Sequence, residues 1–331
     1  LYFLFSIILL IDIFDDNLKK TLTNFLAFNS AEIFKQSLKI FIFYSFLTII
    51  IFLILNLFDF RSFISLNLSM TLIASGGFLP TNNLETVLNT QTKMIVFSLL
   101  MLISFFSLFF LYNLLFYKKK GVKFIQEDVY LVIYLLFIIF IFFLLIDKNT
   151  NFGIIFLAIS SSVSNVGVSL KNTPEYLSFI FLILIIIGGS FFSTSSGLRF
   201  LKIVSLFQFS INEIISNAKP KNIFINKLWL SDKIMDKSDF YKYFFSILIF
   251  IISLILLTSI LSISGLDIES SFKLSILTLM NTANSYMTKL NNLDFEQLNY
   301  LTKYFLVLFM IIGRVELLSF LIIFKKFFFK N

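Results

Sequence analysis

Three apolar runs, each too short to cross a bilayer, end in turns built from Gly, Ser, Asn and Thr. Ser62–Ala74 leads into Ser75-Gly76-Gly77-Phe78, Phe152–Val163 into Ser164-Asn165-Val166-Gly167, and Glu269–Met280 into Asn281-Thr282-Ala283-Asn284. The chemistry such turns offer is coordination rather than bond-making. A short helix that enters a membrane and stops halfway aims its C-terminal carbonyls, with their partial negative charge, at the membrane centre. The turn after it presents backbone carbonyls in place of a cation's water shell. Gly77 and Gly167 permit the left-handed backbone that this requires. Ser75, Gly76, Gly77, Asn165, Val166, Gly167, Thr282 and Ala283 are therefore the candidate ion-binding residues. Ordinary outer loops with incidental glycines are the competing reading, and the recurrence favours the filter.

A second candidate lies deep in an apolar segment. Phe179–Ile187 is all apolar and Phe200–Phe209 is mostly so, yet eight of the ten residues from Gly188 to Gly197 are Gly, Ser or Thr. Glycine weakens a helix, and hydroxyls take backbone hydrogen bonds that the helix would otherwise make. The segment predicts a broken helix at membrane depth, which is tolerated only where it is buried in protein or lines a wet cavity. A small-residue face for close helix packing is the alternative. Gly188, Gly189, Ser193, Thr194 and Gly197 are the candidate gate residues, with Phe191 and Phe192 as an apolar constriction. Arg314, in Gly313-Arg314-Val315-Glu316 within the last apolar run, is costly there and marks a functional site. The competing reading is a structural pair holding two helices together.

The composition removes other chemistries. The chain has no Cys and no His, so it lacks disulfides, thiol nucleophiles, thiolate metal sites and the commonest general base. Only Asp12 and Glu316 are carboxylates inside apolar runs, and no acid/base pair stands out. A membrane-embedded enzyme ranks well below an ion pathway, and no bound cofactor is expected.

The elements that must position these residues follow from hydropathy. Hydrophobic residues make up 58% of the 331 and charged residues 14%, the balance of a polytopic membrane protein. Full spans are expected at Ile40–Phe58, Met94–Tyr117, Val129–Ile146, Phe244–Ile263 and Tyr304–Phe324, with Leu1–Phe14 as the end of another helix whose beginning is missing. The order span, short segment, turn, span occurs three times, an internal repeat seen in hydropathy. It divides the chain into 1–39, the end of a first repeat and a cytoplasmic linker; 40–128, a second repeat; 129–242, a third with the broken helix and a cytoplasmic loop; and 243–331, a fourth. Of the 27 Lys and Arg residues, nineteen fall on the side of the loops between repeats and seven on the side of the short segments. The positive-inside rule then puts the short segments on the outer face. The net charge of +8 is topological and calls for membrane lipid rather than nucleic acid.

These residues resemble the TrkH/Ktr superfamily of potassium transporters, closer to its TrkH branch. Ser75-Gly76-Gly77-Phe78 is similar to the family's T-G-G-F filter in its second repeat. Gly188 to Lys202 follows the gate loop G-G-C-x-G-S-T-x-G-G-I-K-x-x-R, with Arg199 and Lys202 in the basic places. Gly313-Arg314-Val315-Glu316 matches G-R-L-E, and Ala31-Glu32 to Thr48 resembles the lead-in to repeat two. The chain departs from the pattern at Ala283, Phe192 and Ser196, where the family has Gly, and in lacking the first filter turn.

The resemblance implies an all-α polytopic membrane protein: repeated units of helix, re-entrant pore helix and helix around a pseudo-fourfold ion pathway, with the first repeat largely missing. It implies K+ as the substrate at the filter residues, and Arg314 against the loop Gly188–Gly197. It further implies a homodimer in the bacterial inner membrane and a cytosolic nucleotide-binding regulatory partner of the TrkA kind. A degenerate, non-conducting relative with a structural or regulatory role, and a sodium-permeable cation channel, stay open as alternatives.

Overall fold

The computed structural model describes residues 33–81, 84–106, 125–145, 151–190, 193–218, 237–290, 295–296 and 298–315. The leading apolar run, Ala31 and Glu32, Phe191, Phe192 and Glu316 lie outside these residues. All described regular structure is helical. In chain order the helices are α1 (Ile33–Leu57), α2 (Ser62–Ala74), the single turn α3 (Leu84–Val87), α4 (Gln91–Leu102), α5 (Ile125–Leu145), α6 (Phe152–Val163), α7 (Ser178–Ile186), α8 (Phe200–Ala218), α9 (Lys237–Ile263), α10 (Ile268–Leu279) and α11 (Tyr300–Val315).

Two stretches, Glu127–Leu145 and Tyr243–Ile263, are long and apolar enough to cross a membrane. Their apolar residues point outward as well as inward: Ile133, Phe137 and Phe140 on α5, and Ile251 and Ile255 on α9, are exposed. A surface of this kind is stable only against lipid or another apolar partner.

The short helices α2, α6 and α10 are the inner layer. Each packs on a neighbour, α2 on the longer α1, α6 on α4 and α10 on the longer α9, and α7 and α11 pack on α6 and α10 in turn. Several of their buried hydroxyls bond back to the helix. Ser162 donates to the Ala158 carbonyl and Thr278 to the Leu274 carbonyl, both at 2.7 Å. A buried hydroxyl with a partner costs little.

The internal repeat extends to individual hydrogen bonds. Two residues past α1 and α9 stand Asp59 and Gly265, both left-handed. The next N–H reaches back five residues in each case, Phe60 to Leu55 and Leu266 to Leu261. The short helices then start alike. Ser65 N–H donates to the Arg61 carbonyl and Ser271 N–H to the Asp267 carbonyl, both at 2.8 Å, and their hydroxyls reach Phe60 and Leu266.

One expected span differs. Met94–Tyr117 reads as one continuous helix, whereas α4 stops at Leu102 and the chain turns through Ile103, Ser104 and Phe105. The N–H groups of these three residues bond to carbonyls three residues back, and the Ser104 hydroxyl bonds to the Met101 carbonyl at 2.8 Å. The tightened turn releases the Ser104 and Phe105 carbonyls, which bond to the loop after α7, described below.

Candidate functional site

The three inner helices end in the same way. Ser75, Asn165 and Asn281 are left-handed, with φ of 50°, 58° and 50°. The N–H of each bonds to the carbonyl three residues back (Leu72, Ser162, Thr278). The following N–H, of Gly76, Val166 and Thr282, bonds five residues back to Thr71, Ser161 and Leu277 at 2.9, 3.1 and 3.0 Å. This pair of bonds is the Schellman closure of a helix. It satisfies two terminal carbonyls and sends the chain back along the helix it has just left. Asn tolerates the left-handed conformation better than most side chains. Here it also ties the turn to the next helix: Asn165 Nδ2 donates to the Ile185 carbonyl of α7 at 3.2 Å, and Asn281 Nδ2 to the Met310 carbonyl of α11 at 2.8 Å.

One residue further on, two of the turns are alike and the third is not. Gly77 and Gly167 have φ of +69° and +77°, while Ala283 does not enter that region. The turns lie against one another. A Cβ added at Gly77 would collide with the Val166 carbonyl oxygen and the Ala283 methyl, and one added at Gly167 would collide with the Ala283 backbone. Of the candidate residues in these turns, Ser75, Asn165, Val166, Gly167 and Thr282 are buried. Across the site, the Ser169 hydroxyl bonds to Ser285 Oγ at 3.0 Å and accepts the Met287 N–H at 2.9 Å, joining the chain after the Asn165 turn to the chain after the Asn281 turn.

The loop between α7 and α8 begins and ends on itself. Gly188 N–H donates to the Leu198 carbonyl at 2.8 Å, Leu198 N–H to the Ile186 carbonyl at 3.0 Å and Phe200 N–H to the Gly189 carbonyl at 3.2 Å. The break in the helix is therefore a closed excursion of backbone with its two ends paired. The released carbonyls of the α4 end hold it from outside: Phe105 accepts from Ser190 N–H and Ser104 from Ser195 N–H, both at 3.1 Å. From below, the buried Glu127 carboxylate accepts the Ser190 hydroxyl at 3.1 Å.

Two arginines reach the loop from different helices. Arg199, at the start of α8, turns its Nη1 into the loop and donates to the Ser190 carbonyl (3.2 Å), the Ser193 carbonyl (3.4 Å) and hydroxyl (3.2 Å), and the Ser195 carbonyl (3.0 Å). Arg314, near the end of α11, donates through Nη1 to the Ser196 hydroxyl at 2.6 Å and through Nη2 to the Ala74 carbonyl at 3.1 Å. Ala74 is the last residue of α2, so one guanidinium ties the loop to an inner-helix C-terminus. Arg314 keeps exposed surface, so its charge is held at the edge of the packed site.

No family model matches the chain, and no curated protein does. Among solved structures, the crystal structure of the potassium transporter TrkH from Vibrio parahaemolyticus is similar over 97% of this chain and 69% of that one. The TM-score is 0.79 and the sequence identity 19%. The chain has the TrkH fold. Together with the two apolar spans, the TrkH fold makes it a membrane protein.

Set on the TrkH fold, the candidate residues gather in two adjoining places. Ser75, Gly76, Gly77, Asn165, Val166, Gly167, Thr282 and Ala283 form the three converging turns. Gly188, Gly189, Ser193 and Thr194 lie in the loop with Gly197 at its exit, beside Asn165 Nδ2. The sequence reading missed Arg199 as the centre of the loop and Glu127 as its support. It also missed the Ser104 and Phe105 carbonyls. Arg199 carried a readable signal, a cation abutting a Ser-rich loop. The carbonyls carried none, because every residue has one.

Proposed function

We propose that the chain is the K+-conducting membrane subunit of a Trk-type uptake system, with the three turns as filter segments and the Gly188–Gly197 loop as a gate beneath them. The observation that carries this reading is the convergence of three Schellman-closed helix ends over a loop tied to one of them by Arg314. Helix C-termini aimed at one place create negative potential without a formal charge, which suits a monovalent cation that has to leave again. The likeness to a potassium transporter supports K+ as the ion. The same reading carries a homodimer in the bacterial inner membrane, the inner helices open to the outer face, and a TrkA-like nucleotide-binding regulator on the cytoplasmic side. The test is K+ or Rb+ uptake into proteoliposomes holding the purified chain, and growth rescue of bacteria lacking their own K+ uptake. Uptake above empty vesicles is expected. Folded protein without flux in both assays would leave the degenerate, non-conducting relative as the better reading.

A further inference from the structure

The fourth-repeat turn sits in the register of the other two but differs from them at two points. The register is fixed by matching bonds: Asp59 with Gly265, Ser65 with Ser271, and Ser75 with Asn281 on the one hand, and Ser75 with Asn165 on the other. In that register Gly77 and Gly167 correspond to Ala283, and Thr71 and Ser161 correspond to Leu277.

Both differences fall on the features that shape the first two turns. The Thr71 hydroxyl donates to the Phe78 carbonyl at 2.8 Å, and the Ser161 hydroxyl accepts the Val168 N–H at 2.6 Å. These are equivalent struts, each tying its turn back to the inner helix just after the glycine. Leu277 has no hydroxyl to offer, and the next residue of its turn, Asn284, bonds onward to the Leu290 carbonyl at 3.2 Å. Ala283, for its part, carries a methyl and stays out of the left-handed region that Gly77 and Gly167 occupy. That methyl is the group Gly77 faces, and the Ala283 backbone lies against Gly167.

We infer that the fourth turn is a wedge rather than a third equivalent filter segment, and that the Ala283 methyl sets the throughput of the pathway by filling the space where the three turns meet. The inference rests on the ion-pathway reading above. A residue confined to negative φ cannot turn its carbonyl as Gly77 and Gly167 do. Beyond the Schellman bonds at Asn281 and Thr282, Leu277 offers no hydroxyl to tie the residues after Ala283 to α10 as Thr71 and Ser161 do in the other turns. The Ala283 methyl stands against Gly77 while the Ala283 backbone lies against Gly167, and removing the methyl removes the contact with Gly77.

The experiment measures Rb+ flux per folded molecule in proteoliposomes for the parent, Ala283→Gly, Ala283→Val and the double variant Ala283→Gly/Leu277→Thr. Melting temperature in detergent reports folding for each. The inference expects a several-fold rise for Ala283→Gly, a further rise for the double variant, and a fall for Ala283→Val. A parent that conducts and an Ala283→Gly variant that folds and conducts equally would overturn the wedge and leave the ion-pathway reading standing. No flux in any of the four folded proteins would overturn both.

Discussion

The Nη1 of Arg314 lies 2.6 Å from the Ser196 hydroxyl, joining the last described helix to the loop that interrupts α7 and α8. The same guanidinium reaches the Ala74 carbonyl at the end of α2. One side chain thus spans the Gly188–Gly197 loop and the C-terminus of α2, and its removal frees both at once. A hydrogen bond to a charged group is worth about 1.5–3 kcal/mol, enough to shift an open–closed balance roughly tenfold or more. Ser196→Ala is expected to raise K+ flux per folded molecule and Arg314→Ala to raise it further, with little loss of folded protein. If both variants fold and conduct as the parent does, Arg314 is a packing element and the loop is not a gate.

Arg199 is the contrasting case. Its Nη1 donates within the loop, to the backbone carbonyls of Ser190, Ser193 and Ser195 and to the Ser193 hydroxyl. These bonds shape the loop from within. Arg199→Ala is expected to lower the melting temperature in detergent by several degrees and to reduce the yield of folded protein. Arg199→Lys should recover little, because an ammonium cannot reproduce the planar fork. A normal melting temperature for Arg199→Ala would mean that the paired loop ends and the Ser104 and Phe105 carbonyls hold the loop unaided.

What the sequence made legible follows from which physical signals are local. The bounds Ser62–Ala74 and Phe152–Val163 are those of α2 and α6, because apolar length and the following Gly or Asn fix both ends. The Gly188–Gly197 break is visible because composition changes abruptly. The break in α4 at Ile103–Phe105 is not, since a single Ser104 in an apolar run looks like any helical serine. Its cause is tertiary: the freed carbonyls are stabilised by N–H groups of Ser190 and Ser195, far along the chain. The pairing of Thr71, Ser161 and Leu277 is equally silent, because only the folded register says which residues to compare.

The orientation of the inner helices is testable on a chain with no Cys of its own. Asn172 and Ser264 are exposed, one in the loop after the third-repeat turn and the other between α9 and α10. Asn172→Cys and Ser264→Cys are expected to react with a membrane-impermeant maleimide added to intact cells. Reaction only in inside-out vesicles would reverse the topology drawn from the Lys and Arg distribution.

The Lys289–Glu175 pair, at 2.6 Å, links the third repeat to the fourth on the same face. The Lys289 hydrogen bond and charge hold the exposed Glu175 carboxylate below its ordinary 4.5. A carboxylate with a lowered folded pKa stabilises above its unfolded pKa, and the contribution fades as pH falls through the folded one. Glu175→Gln should therefore lower the melting temperature slightly at pH 7, an effect kept small by solvent screening, and flatten its decline below about pH 4.5. An equal decline in both proteins would show that the pair contributes nothing.

Gly77 and Gly167 combine two demands that no other residue meets together. Each holds a positive φ, and each has another turn where a Cβ would stand: the Val166 carbonyl and Ala283 methyl for Gly77, the Ala283 backbone for Gly167. The left-handed backbone alone costs an L-residue about 1–2 kcal/mol. The collision then forces the turns apart, and a carbonyl site opened in this way loses discrimination before it loses its fold, because the Schellman bonds at Ser75 and Asn165 lie upstream of the change. Gly167→Ala is expected to fold with a modestly lowered melting temperature and to admit Na+ alongside K+, and Gly77→Ala to behave likewise. The measurement is the Na+-to-Rb+ flux ratio in proteoliposomes, taken with the melting temperature of each variant. An unchanged ratio in a folded Gly167→Ala protein would return both turns to ordinary loops and move the search for the selective site elsewhere along the pathway.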